Sequence, residues 1–278
     1  MQGSDLCAPN GMLGVFFVHN LVLPVVYMKG QGGKGMEERR KALTLAGVLG
    51  VLSLVTACLI YLANQLFVPA PATGLPLSGQ IIVIDPGHGG RDGGAVSRSG
   101  LVEKEITLAI SLYLRDLLEA SGALVIMTRE SDQELASEEA RLLGRRKKED
   151  LLNRVKIINR EYADLFVSIH LNSVPSPKWR GAQTFYNPKW PESERLAQFI
   201  QEELIRNLEN THRLPKKNQD IFILRTSHIP GVLIEVGFLS HPEEAALLGQ
   251  EEYQKKVAFA IYTGILRYYS NENPLPLP

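Results

Sequence analysis

Cysteine is almost missing from this sequence: 278 residues contain two, Cys7 and Cys58. That excludes a disulfide framework and any zinc site built on thiolates. Net charge is missing too, with 30 basic against 30 acidic side chains, so no basic face for nucleic acid is expected. Internal repeats and low-complexity tracts are absent, and with 45% hydrophobic residues a disordered tail or a collagen-like repeat is excluded.

The most informative absence is local. From Ala42 to Ile84 no side chain is charged, and Ala42 to Val68 is almost wholly apolar. A helix rises ~1.5 Å per residue, so about 20 such residues cross a bilayer core of ~30 Å. Arg39, Arg40 and Lys41 precede the run and no Lys or Arg follows until Arg91. Residues 36–41 therefore read as a cytoplasmic basic flank and 42–68 as a transmembrane anchor, with the remainder on the extracytoplasmic side. Cleavage of the same segment as a signal would make the protein secreted. Val55, Thr56, Ala57 and Cys58 loosely resemble a lipidation signal, but Leu59, Ile60, Tyr61 and Leu62 continue the apolar run past the cysteine. A buried core helix is disfavoured because the run has no polar face.

Residues 1–35 read as an N-terminal extension of the true start. The apolar run Met12 to Met28 is broken by His19, Asn20 and Pro24, too interrupted for a span. Gln31, Gly32, Gly33, Lys34 and Gly35 are encodable by a purine-rich stretch like a ribosome-binding site, and Met36 then opens an ordinary basic-then-apolar segment.

Pro69, Pro71, Gly74 and Pro76 mark a linker over 69–78, followed by a domain over 79–270 and a tail over 271–278. Strands are predicted at Gln80 to Asp85, Ala123 to Thr128, Asp164 to His170, Ala182 to Tyr186, Asp220 to Leu224 and Val232 to Val236. Helices are predicted at Glu103 to Ala120, about Leu142 to Tyr162, Glu192 to Leu208 and Glu251 to Tyr269. Strands alternating with helices imply an α/β fold: one twisted, mostly parallel sheet of about six strands with helices on both faces. Arg145, Arg146, Lys147 and Lys148, followed at once by Glu149 and Asp150, read as a solvated helix start.

The first strand runs into Asp85-Pro86-Gly87-His88-Gly89-Gly90-Arg91-Asp92-Gly93-Gly94. A phosphate-binding turn fails on detail. A dinucleotide fingerprint from Gly87 needs glycine where Asp92 stands, and a P-loop needs lysine where Ala95 stands. What the loop holds is an imidazole, with glycines that let the chain bend sharply and leave space around the ring. His170 ends another strand, Glu103 opens the following helix, and Glu235 ends the strand Val232-Leu233-Ile234. Carboxyl ends of parallel strands face one crevice, so these groups can converge. Two imidazoles and a carboxylate with a place left for water suit catalytic zinc rather than calcium. Spacing alone leaves Glu103 and Glu105 both open as ligand, and Glu103 and Glu235 both open as base.

Four motifs in order carry a resemblance: Ile84 to Ala95, Glu103-Lys104-Glu105, Ser168-Ile169-His170-Leu171-Asn172 and Glu235-Val236-Gly237-Phe238-Leu239-Ser240. Together they resemble the zinc-dependent N-acetylmuramoyl-L-alanine amidases of bacterial cell walls, amidase type 3, over about Gln80 to Tyr269. Within that family the chain looks most like the germination-specific members of endospore formers. The resemblance implies zinc on His88, Glu103 and His170, Glu235 as the catalytic carboxylate, and Asn172 as a substrate contact. Arg129, Arg154 and Asn159 also fit its pattern, whereas His241 stands where the family usually has asparagine.

The implied reaction is hydrolysis of the amide joining N-acetylmuramic acid to L-alanine in peptidoglycan, in the envelope of the sporulating cell or forespore. The implied partner is a separate deacetylase that turns the product into the muramic δ-lactam of spore cortex. Two rival readings remain at this stage. One is a zinc peptidase acting within the stem peptide, and the other is a wall-binding module without catalysis. His19, His212 and His228 have no partner motif and read as ordinary histidines.

Overall fold

The computed structural model describes residues 14–18, 21–25, 34–66, 74–160, 162–270 and 272–274. The chain divides into two units, Met1–Ala72 and Thr73–Pro278. In the first, strands β1 (Gly14–Val18) and β2 (Leu21–Val25) pair antiparallel, so the interrupted run Met12 to Met28 contains a strand pair rather than a helix. Helix α1 (Lys34–Leu66) follows, and its segment Gly35–Leu62 is long and apolar enough to cross a membrane. None of that segment is buried, which is compatible with an anchor or a signal helix. Residues 67–68 of the predicted span, and 69–73 of the predicted linker, lie outside the described residues.

The second unit is an α/β domain. Its strands are β3 (Ile81–Pro86), β4 (Leu124–Met127), β5 (Leu165–Asn172), β6 (Gln183–Tyr186), β7 (Lys216–Lys217) and β8 (Gly231–Phe238), and they form one sheet in the order β4-β3-β5-β8-β6-β7. All neighbours are parallel except β6 and β8, which run antiparallel. The central strands β3, β5 and β8 are buried on both faces, which is why they read as continuous apolar runs.

Helices cover the two faces unequally. On one lie α2 (Glu103–Ala120), α5 (Pro191–Leu208) and α8 (Glu251–Tyr269). Ile106, Ile110, Leu114 and Leu118, spaced four apart, put one stripe of α2 into the larger core with Ile82, Ile84, Val167 and Ile234. The opposite face carries a smaller core of Val83, Phe166, Leu233, Val155, Ile223 and Leu224. Its cover comes from α4 (Arg146–Ile158) and the short α6 (Phe222–Thr226). The remaining helices are α3 (Glu138–Leu142) and α7 (Pro242–Leu248).

Two elements differ from the sequence prediction. Asp220 to Leu224 is not a strand. The Asn218 side chain accepts from the backbone N–H groups of Asp220 and Ile221, starting a turn that leads into α6, and Ile223 and Leu224 are buried in the smaller core. The sixth strand is instead β7, two residues long. The helix drawn from Leu142 to Tyr162 is interrupted, because Gly144 takes φ +66° and separates α3 from α4.

Candidate active site

The site lies at the carboxyl ends of β3, β5 and β8, on the face of the smaller core. His88 follows β3 with φ 62°, one of two non-glycine residues at positive φ among those described. A left-handed residue costs roughly 1–2 kcal/mol, so the surroundings must hold it. Two buried arginines do so. Arg154 donates to the carbonyl oxygens of Pro86 and His88, and Arg129 donates to those of Pro86 and Gly87. Burial and the neighbouring Arg154 push Arg129 down to about 10, which leaves it charged at neutral pH.

Asp85 pairs with Arg154. It is buried at the end of β3, 2.8 Å from Arg154 Nη1, and accepts from Thr128 and Ser168 at 2.6 and 2.7 Å. Burial alone would raise its pKa, but Arg154 and the two hydroxyls hold it below the ordinary carboxyl value. Arg129 and Arg154, noted in the sequence only as family residues, therefore shape the loop that carries His88. Asn159 fixes a different segment, donating to Thr226 O and accepting from His228 N.

Glu103 occupies the first turn of α2 and is 3% exposed. Its Oε1 lies 3.2 Å from His88 Nε2, 3.2 Å from His170 Nδ1, and accepts from Leu171 N at 2.9 Å. Its Oε2 accepts from Ala95 N at 2.8 Å. Burial opposes its charge, but the two imidazoles hold the carboxyl well below the usual range. The same contact acts on His88. Burial disfavours its cation, while Glu103 and then Asp92 lift its pKa above the ordinary value. Asp92 Oδ2 stands 3.1 Å from His88 Nδ1 but off the line of a good hydrogen bond. Glu105, two residues along the same helix, is exposed and outside the cluster.

His88, Glu103 and His170 bring three ligand atoms within 4.8 Å of one another. Tetrahedral zinc with bonds of ~2.0–2.1 Å sets its donors about 3.3 Å apart, and the two 3.2 Å separations from Glu103 Oε1 match that spacing. The glycines keep the cradle open. A Cβ on Gly87 would fall 2.4 Å from His170 Cε1, and one on Gly94 would fall 2.5 Å from Glu103 Oε2 and 2.8 Å from His88 Cδ2. The residues present fit a tetrahedral divalent metal.

Glu235 is beside the cluster. It pairs with His170 in the parallel register of β5 and β8, and its Oε2 is buried with no hydrogen-bond partner among the described residues. Burial, with the nearby Glu103 charge, lifts it to about 7. A cavity of about 240 Å³ opens from His88 and His170 between α4 and α6, walled by Leu151, Ile221 and Phe222, with Lys147 at its edge. Sequence reasoning missed these wall residues, since nothing local says that α6 replaces a strand. Asn172 ends β5 and its carbonyl accepts from Leu239 N at 2.9 Å. His241 caps α7 by accepting from Glu244 N, away from the metal cluster.

Three donors at metal spacing beside an unpaired carboxylate define a candidate metal-dependent hydrolase centre. Comparison with known proteins gives the family. Residues 82–267 match the model of the N-acetylmuramoyl-L-alanine amidase family, Amidase_3, and the chain belongs to that family. It is 56% identical over 202 residues to the germination-specific N-acetylmuramoyl-L-alanine amidase of Bacillus subtilis, covering 73% of this chain and 85% of that protein. Among solved structures it is similar to the CwlD amidase of Clostridioides difficile in complex with the GerS lipoprotein, with 47% identity and TM-score 0.66, covering 68% of this chain and 98% of that one. It is also similar to the amidase AmiC2 of Nostoc punctiforme, with 32% identity and TM-score 0.59, covering 69% and 98%. The resemblance read from the four motifs is thereby borne out, and the amidase reading stands over a peptidase one.

Proposed function

We propose that the domain cleaves the amide between N-acetylmuramic acid and L-alanine in peptidoglycan, with zinc held by His88, Glu103 and His170. The observation that carries the metal assignment is the 3.2 Å approach of both imidazoles to one oxygen of Glu103. When bound, zinc lowers the pKa of a water from ~15.7 toward ~7 and polarises a carbonyl.

The chain's own groups divide the remaining work. Glu103, buried and held anionic, supplies the charged ligand, and its backbone contacts to Ala95 and Leu171 fix its orientation. Glu235 is the catalytic carboxylate: it takes a proton from the attacking water and returns it to the leaving amine of L-alanine. Burial, which raises its carboxyl above the ordinary value, makes it a stronger base than an exposed glutamate. Asn172, at the rim of β5, orients the substrate.

The apolar segment over 42–68 anchors this domain on the extracytoplasmic side, where the wall lies. The 56% identity to a germination-specific amidase supports a role in spore cortex. There, loss of the stem peptide leaves muramic acid for a separate deacetylase and δ-lactam formation. The clostridial relative is in complex with a lipoprotein, and a lipoprotein partner on the same membrane face fits an anchored enzyme. The test is digestion of purified peptidoglycan by the full chain in detergent, with mass spectrometry of the products. Free N-terminal L-alanine with intact muramic acid, abolished by chelation and restored by zinc, is the expected result. Peptide still attached to the sugar would refute it.

A further inference from the structure

One exposed aromatic is linked through Arg213 and Gln183 to the row of the sheet that carries the catalytic carboxylate. Trp179 is 57% exposed, an unusual place for so large an aromatic side chain. The Arg213 guanidinium carbon lies 5.8 Å from the centre of the Trp179 ring and 5.2 Å from that of Phe238. Arg213 Nε donates to Arg180 O at 3.0 Å and Nη1 donates to Gln183 Oε1 at 3.2 Å. Among the described residues, the other guanidinium N–H groups have no acceptor and are free to donate.

Gln183 ties this platform to the reaction centre. It is the residue opposite Glu235 in the antiparallel pairing of β6 with β8, and Glu235 is opposite His170. The three side chains share one face in one row across the sheet, with neighbouring Cβ atoms about 5 Å apart. The platform is also held rigidly. Glu244 accepts from Gly181 N at 2.9 Å and from Phe238 N at 3.0 Å, joining the loop that carries Trp179 to the strand end that carries Phe238.

A flat apolar face edged by free cationic donors complements a pyranose ring, whose C–H face is apolar and whose hydroxyl and acetamido oxygens lie at its rim. We propose that Trp179 and Arg213, positioned by Gln183, form a glycan subsite. It takes an N-acetylated amino sugar adjoining the muramic acid whose amide is cut. This rests on the amidase reading and extends it: the enzyme reads the strand as well as the scissile amide.

The chain has two tryptophans, and Trp190 lies outside the platform, so Trp190→Phe makes Trp179 the sole indole reporter. The probe is a peptide-free strand of alternating N-acetylglucosamine and N-acetylmuramic acid, which has no amide to cleave. The full chain carrying Trp190→Phe in detergent is expected to show saturable change in Trp179 emission with the strand. Calorimetry should show strand affinity falling at least tenfold in Trp179→Ala and several-fold in Arg213→Gln, with the circular dichroism spectrum unchanged. On cleavable substrates, Trp179→Ala should raise KM for long strands about tenfold relative to isolated muramyl peptides, with kcat for strands within twofold of the parent. Equal strand affinity in Trp179→Ala and its parent, or strand binding with no change in emission, would overturn the subsite. Strand binding through Trp179 in a protein that releases no L-alanine would instead overturn the amidase reading and leave the subsite standing.

Discussion

His170 and Glu235 stand side by side, directly paired in the parallel register of β5 and β8. One imidazole nitrogen of that pair joins the donor cluster with Glu103, while the neighbouring carboxylate has a buried oxygen without a hydrogen-bond partner among the described residues. In the proposed mechanism these adjacent positions carry separable duties, metal holding and proton transfer.

Glu235→Gln should keep the metal and lose turnover. It preserves shape and removes the base, so kcat is expected to fall about 10²–10⁴-fold with zinc content unchanged by elemental analysis. Near-parental turnover would show that another group moves the proton.

Glu103→Ala should lose zinc affinity by on the order of 100-fold or more, because it removes the carboxylate oxygen that both histidines approach. Glu105→Ala should leave affinity unchanged, since its side chain points to solvent. Competitive chelator titration of both variants measures this, and equal losses would refute the ligand assignment.

Gly87→Ala should weaken zinc binding about tenfold, through a Cβ that collides with the His170 ring. Gly79→Ala serves as the comparison: its φ of +84° disfavours a side chain, but its Cβ would meet nothing within 4 Å among the described residues. It should cost about 1 kcal/mol of stability and leave the metal untouched.

Arg154→Met should destabilise the domain by about 3–5 kcal/mol, because it strands the buried Asp85 charge. The pH dependence follows from the sign of the Asp85 shift. Its folded pKa is lowered, so the stabilisation is fully present above the ordinary value near 3.8 and disappears as pH falls through the lower folded value. Urea denaturation between pH 5 and 2 should show a steeper loss for the parent than for Asp85→Asn. Parallel curves would mean that the Asp85 pKa is the same folded and unfolded.

The sequence by itself determined the apolar segment, the α/β alternation and the four motifs, because each is a local pattern: an uncharged run, a change of period, a residue at a strand end. It also gave His88, Glu103, His170 and Glu235 as a group, through their common location at strand and helix ends. Tertiary structure decided which groups meet. Glu103 and Glu105 are two residues apart and so face nearly opposite sides of α2, and only the packing of that helix on the sheet turns Glu103 inward. Asp220 to Leu224 has the composition of a strand, yet Asn218 and the smaller core make it a turn and a helix. The reversed direction of β6 brings Gln183 opposite Glu235. No local signal encodes that pairing, because strand direction and register are set by contacts between distant parts of the chain.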